Sequence, residues 1–363
     1  MLYHLLYPLR DWFFGFNVVR YITVRSACAG STAFLVCMLF GPSFVRWLLR
    51  MRMGQQVRKE ECPQLYELHQ GKQGTPTMGG LLVLGAAVGS SLLWCNLTSG
   101  LLWLTLAVTC GLGFVGFLDD YLKWVRHRSK GLTARAKLLG QFLVASAVLW
   151  HLLGVGSSNG HLEVPFLKAV HLALGWWYVP FAMVVIVGSS NAVNLTDGLD
   201  GLATGCLIMV AVAYAGMAYL TGHRQFAAYL GIYHAPQAGE LAVFCAAMAG
   251  ACLGFLWFNS YPATVFLGDT GALALGGAIG TVAVLIKKEL LLALVGGVFV
   301  AESLSVMLQV ASYKLRHKRR VFLVAPLHHH FQMVGWAETK VTVRFWIIGV
   351  LLALLSLMTL KLR

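Results

Sequence analysis

From the N-terminus onward the chain alternates apolar runs of about twenty residues with short, mostly basic connections. Runs of that length cross about 30 Å of hydrocarbon as helices. The pattern predicts ten spans, at about 26–49, 77–97, 101–122, 135–155, 173–193, 200–221, 240–258, 270–287, 289–312 and 341–361. No stretch remains for a separate soluble domain, so residues 1–363 read as one all-α polytopic membrane domain. The first run, Ser26 to Leu49, is too long for a signal-peptide core and lacks a small-residue cleavage site after it, so it reads as a retained span. Gly271, Gly276, Gly277 and Gly280 in the eighth span suit close helix packing. No internal repeat of fixed period is visible, which counts against an inverted-repeat transporter.

Composition agrees: 58% of residues are hydrophobic and only 12% charged, against about a quarter in soluble domains. The net charge of +14 is unevenly placed. Three connections hold the large clusters: Arg50, Arg52, Arg58, Lys59 and Lys72; Lys123, Arg126, Arg128, Lys130, Arg135 and Lys137; Lys314, Arg316, Lys318, Arg319, Arg320 and Lys340. The connections around 156–172 and 222–239 carry only Lys168 and Arg224. By the positive-inside rule the three basic connections are cytoplasmic and both termini extracytoplasmic, as an even span count requires. Cysteines are scattered without metal-ligand spacing, and Cys28, Cys37, Cys95, Cys110, Cys206, Cys245 and Cys252 read as small buried hydrophobes.

The acids change the picture. Of six aspartates, Asp119, Asp120, Asp197, Asp200 and Asp269 sit at span ends on the expected cytoplasmic face, whereas the opposite face has Asp11, Glu163, Glu240 and Glu289. Carboxylates beside hydrocarbon are costly unless paired, solvated or cation-bound, so this gathering implies a cation and a polar substrate. In GFLDDYLK, adjacent Asp119 and Asp120 diverge by about 100° on a helix and are expected to divide their roles. In NAVNLTDGLDGLA, Asp197 and Asp200 stand one turn apart, with Gly198 and Gly201 open to close approach and Asn191 and Asn194 as amide donors; a helix start capped by Thr196 or Asp197 fits the same residues. GDTGALALGG leads into a helix whose N-terminus suits phosphate oxygens, with Asp269 placed to hold a hard cation such as magnesium. Phe266, near Asn259, is either a stacking face for a nucleobase or packing. In APLHHHFQMVGW, consecutive His328, His329 and His330 lack the spacing of a helical metal pair; they suit phosphate binding or proton transfer, or simply a polar turn after Pro326. Glu302, mid-span, is either functional or satisfied within the bundle near Gly296 and Gly297, where the ninth span is open to a break or bend.

Five segments, GTPTMGG, FLDDYLK, SSNAVNLTDGLDGLA, GDTGALALGG and APLHHHF with VRFWI, together resemble the phospho-N-acetylmuramoyl-pentapeptide transferase (MraY) family, within the polyprenyl-phosphate N-acetylhexosamine-1-phosphate transferases. The resemblance covers nearly the whole chain. It implies transfer of phospho-MurNAc-pentapeptide from UDP-MurNAc-pentapeptide to undecaprenyl phosphate at the cytoplasmic face of the bacterial inner membrane, giving lipid I and UMP, with Mg2+ as cofactor. It also implies a homodimer in membrane lipid and no nucleic-acid partner. By the same resemblance Asp119 is the base, Asp120 its partner, Asp197 a further catalytic carboxylate, Asp269 the metal ligand, and His328, His329 and His330 the catalytic histidine motif. Lys72, Thr77, Asn194, Asp200, Asn259 and Phe266 are the expected substrate-binding positions. The chain departs from the family pattern at Gln332, where an acid is expected. A related transferase using UDP-N-acetylglucosamine would differ around the histidines, and a transporter would carry its ionisable groups along a mid-membrane path.

Overall fold

In a bilayer only the helix itself can satisfy backbone amides and carbonyls, so each apolar run coils. The computed structural model describes residues 1–51, 72, 74–126, 131–154, 160–167 and 171–361; Arg52, Arg58, Lys59, Arg128, Lys130 and Lys168 of the connections lie outside them. In order come α1 (Leu2–Leu6), α2 (Ile22–Arg50), α3 (Gly80–Trp94), α4 (Gly100–Val125), α5 (Ala134–Gly154), a hairpin of β1 (His161–Glu163) and β2 (His171–Ala173), and α6 (Tyr178–Thr196). There follow α7 (Leu202–Gly222), α8 (Arg224–Leu230), α9 (Ala238–Asn259), α10 (Gly268–Leu285), α11 (Glu289–Val295), α12 (Gly297–Leu315), α13 (Leu327–Met333) and α14 (Glu338–Thr359). Among the described residues eight helices are long and apolar enough to cross a membrane, and α3 and α5 fall on two further apolar runs of the sequence. The protein is a multi-pass membrane protein.

Two passes differ from the regular spans expected. The second is helical only over the 15 residues of α3, about 22 Å at 1.5 Å per residue. The chain before it runs extended instead, because the Phe266 amide donates to the Pro76 carbonyl (2.9 Å) and the Gly79 amide to the Phe266 carbonyl (2.9 Å). Irregular backbone at that depth is tolerated because protein covers it. The ninth pass breaks at Gly296, between α11 and α12. Of the cysteines named, Cys110 is exposed and Cys28 half-buried, while the other five are buried.

Helix α10 is the axis of the bundle: 89% of its apolar window is buried, against 22% for α2 and 33% for α14. It packs between α4 and α6, and α9 lies along α2 and α7. The two ends of the bundle use charge differently. At one end Arg25 grips Glu240 through two hydrogen bonds of 2.7 and 2.8 Å, with Asn96 N donating to the same carboxylate. Nearby Glu163 pairs with Lys288, and the Tyr178 hydroxyl donates to Glu289. At the same end the Met1 ammonium donates to the Leu92 carbonyl (2.6 Å), and Lys361 sits 3.6 Å from the Tyr229 ring centroid. The aspartates of the five motifs lie at the opposite helix ends.

The Arg25 and Glu240 pair predicts its own test. Glu240→Ala strands a buried guanidinium and should cost about 3–5 kcal/mol, whereas the double substitution Arg25→Met with Glu240→Leu should recover most of that loss. Thermal unfolding in detergent measures both; equal destabilisation by the single and double variants would contradict the assignment.

Candidate active site

Four helix ends deliver the acids. Gly116 lets α4 approach α10 backbone to backbone, because a Cβ there would stand 2.3 Å from the Asp269 carbonyl oxygen. One turn later, buried Asp119 and Asp120 reach the first turn of α10, and single oxygens of Asp119, Asp120 and Asp269 lie within 4.8 Å of one another. The two neighbours converge despite their divergent bonds, but with different partners. Asp120 Oδ2 accepts from the Thr270 amide (2.9 Å) and hydroxyl (2.8 Å), anchoring α10. Asp119 Oδ1 accepts from the Leu132 amide (2.7 Å), which leaves Oδ2 facing the cluster.

Two lysines neutralise this gathering. Lys123 Nζ lies 2.6 Å from Asp119, 2.6 Å from Asp269 and 3.8 Å from Asp120. Lys137 Nζ lies 3.0 Å from Asp269. Asn194 joins them, its nitrogen donating to Asp269 Oδ1 (2.8 Å) and its oxygen accepting from Lys137 (3.0 Å). Asn191 instead turns toward Gln141, to which it donates at 2.8 Å.

Asp197 ends α6 and accepts from the Gly268 amide, next to Asp269. Burial foremost, then the Asp269 charge, push its carboxyl up to about 7. Asp200, in the link between α6 and α7, faces a second group: Lys72 Nζ donates to Asp200 Oδ1 (2.6 Å) and to Glu338 (2.5 Å), and Asp200 Oδ2 accepts from the Ala263 amide (2.9 Å). Phe266 and Thr77 are half-buried on the paired stretches beside it. Asn259 is buried, its amide spent on Thr204 (2.8 Å) and the Val265 carbonyl (2.9 Å), so it shapes the 260–265 turn from behind.

The histidines point three ways, as their spacing requires. His328 is fully buried: its amide donates to Glu302 (3.2 Å), its Nδ1 lies 3.2 Å from the other Glu302 oxygen, and Nε2 occupies the space a side chain on Gly198 would need. His329 contacts Gln332 at 2.9 Å, and His330 Nδ1 accepts from the Leu323 amide (3.3 Å). Gly198 is therefore covered by an imidazole instead of lying open to a ligand. Mid-span Glu302 is the base of that contact, joining α12 to the histidine helix α13.

Sequence reading passed over Lys123, Lys137 and Glu338 as site residues. Lys123 carried a signal, four residues after Asp119 and so on one helical face with it. Glu338 carried less: it is an acid in the first turn of the last span, and only folding reveals that it shares Lys72 with Asp200.

Comparison with known proteins follows the same lines. The model of glycosyl transferase family 4 matches residues 102–287, and the phospho-N-acetylmuramoyl-pentapeptide-transferase signature 1 matches residues 72–84. Over the full length of both chains, this one is 53% identical to the phospho-N-acetylmuramoyl-pentapeptide-transferase of Desulfosudis oleivorans and 52% identical to that of Desulfotalea psychrophila. That of Thermodesulfovibrio yellowstonii is 50% identical, again with complete coverage of both.

Asp197 supplies a pH test. Its carboxyl rises from an ordinary 3.8 to about 7 in the fold. Between those values the folded protein keeps a proton that the unfolded chain releases, so stability falls as pH rises toward 7 and levels off above. In metal-free buffer, the advantage in melting temperature of Asp197→Asn over the parent should widen from pH 5 to pH 7. A difference independent of pH would contradict the assigned environment.

Proposed function

The chain belongs to the phospho-N-acetylmuramoyl-pentapeptide transferase family, and we propose that it moves phospho-MurNAc-pentapeptide from UDP-MurNAc-pentapeptide to undecaprenyl phosphate, releasing UMP and forming lipid I. The observation that carries this reading is the convergence of Asp119, Asp120 and Asp269 with Lys123 and Lys137 at one end of a membrane bundle. The basic connections beside that end support a cytoplasmic orientation, where a nucleotide-linked substrate is available.

The donor set fits a hard divalent cation: three carboxylates, with no sulfur or imidazole among them. Asp269, Asp119 and Asp120 would hold Mg2+, which when bound neutralises charge on the diphosphate. Asp120, committed to Thr270, positions α10 and its neighbour Asp269. Asp119, with one oxygen on the Leu132 amide and the other toward the cluster, is placed to accept a proton from the lipid phosphate. Because a phosphate monoester loses its second proton near about pH 6, that transfer contributes modestly, and most of the acceleration comes from aligning two anions against cationic groups. Lys137 and Lys123 supply those groups. The uridine end lies by Lys72, Asp200 and Phe266, with Glu338 orienting the lysine and Asn259 holding the turn. His328, seated by Glu302, fixes α13 against the Asp197 turn, and leaves His329 and His330, half-buried, nearer the substrate. A homodimer in lipid is the assembly the family suggests.

Mixing purified protein with UDP-MurNAc-pentapeptide, undecaprenyl phosphate and Mg2+ should release UMP. Asp119→Asn and Asp269→Asn should each lower that rate by about 10³-fold or more, the scale of lost transition-state electrostatics. Full activity in either variant removes that residue from the site. UMP exchange into the UDP-sugar without lipid phosphate would replace direct attack by a covalent aspartyl-phosphate route.

A further inference from the structure

The position of Lys123 is unusual among the charges of this protein. Its Nζ is within 4 Å of one oxygen from each of the three carboxylates, at 2.6, 2.6 and 3.8 Å. One oxygen from each of the three carboxylates lies within 4.8 Å of the others. A divalent cation with oxygen ligands at about 2.1 Å needs the same small space. An ammonium and a divalent ion cannot both occupy it, since each would stand at van der Waals distance from the other with like charge.

The two partners in this contact differ in mobility. The carboxylates are pinned from behind, Asp120 by Thr270 and Asp119 by Leu132, with Asp269 on the first turn of buried α10. Lys123 stands near the end of α4 with its side chain 32% exposed, on a flexible four-carbon stem. Lys137 is differently placed: it touches Asp269 alone and is braced by Asn194.

We propose that Lys123 is the counter-cation of the three carboxylates whenever no divalent ion is bound, and that it must leave them for such an ion to enter, with the substrate diphosphate as the anion that receives it. The inference rests on the reading of the cluster as a divalent-cation site for a diphosphate substrate. Metal and nucleotide then bind as one coupled event, because each removes an obstacle to the other. Lys123 is by this account a positioning residue that keeps three acids together in the resting enzyme and discourages metal binding before substrate is present.

The test uses full-length protein in detergent and Mn2+ as probe, with binding followed by the free-ion electron paramagnetic resonance signal and by the rise in melting temperature. Without substrate, Lys123→Gln should bind Mn2+ about tenfold or more tightly than the parent, while Lys123→Arg, which keeps the charge, stays near the parent. Lys123→Met serves if the glutamine variant does not fold. Lys137→Gln, which removes equal charge from beside Asp269 only, should gain less. UDP at fixed excess should lower the Mn2+ concentration needed to stabilise the parent more than it does for Lys123→Gln. Equal affinity in parent and Lys123→Gln, equal gains at Lys123 and Lys137, or an equal UDP effect each overturns the proposal. If no variant binds Mn2+, with or without UDP, the cation reading falls with it. A parent that releases no UMP while Lys123→Gln still gains affinity would sink the transferase reading and leave this one standing.

Discussion

One carboxylate oxygen from each of Asp119, Asp120 and Asp269 lies within 4.8 Å of the others. Three such groups held together at the end of a membrane bundle repel strongly where water is scarce, and a structure containing them must also provide cations. Much of the local architecture answers that requirement. Gly116 draws α4 onto α10, Thr270 fixes one acid, Leu132 another, and two lysines enter from α4 and α5. The same charge that must be neutralised at rest is what gives the site its affinity for a divalent ion and its power to organise phosphates.

The opposite end of the bundle shows what acids do when their task is structural. Glu240 is held by Arg25 and Asn96, Glu163 by Lys288, and Glu289 accepts a hydrogen bond from the Tyr178 hydroxyl. Each has its own local partner and none gathers with another acid. Distribution of acids between the faces was therefore a weaker signal than their grouping: both faces bury carboxylates, and only one makes them converge.

Glu302 illustrates how a membrane interior carries structure toward a site. Alone in an apolar span it reads as either a functional charge or one satisfied within the bundle. In the fold it accepts from the histidine helix and holds His328 over Gly198, so the broken ninth pass, the histidine motif and the Asp197 turn are joined by one contact chain. Gln332, at the position where an acid is expected, contacts His329.

The apolar runs of spanning length, the gathering of basic connections and the five motif segments were legible in the residues themselves, because span length and charge bias are local properties that a bilayer reads directly. Shortening of α3 was not, since it depends on Pro76 pairing with Phe266, some 190 residues later. Nor was the buried place of Asn259, the Lys72 bridge to Glu338, or the seat of Lys123 among three acids. Sequence by itself determined which residues could carry charge at a helix end and on which side of the membrane to expect them. Only the tertiary structure decided which of those charges meet, because contact between helix ends is set by packing of glycines and small side chains across the bundle, and no single segment contains that information.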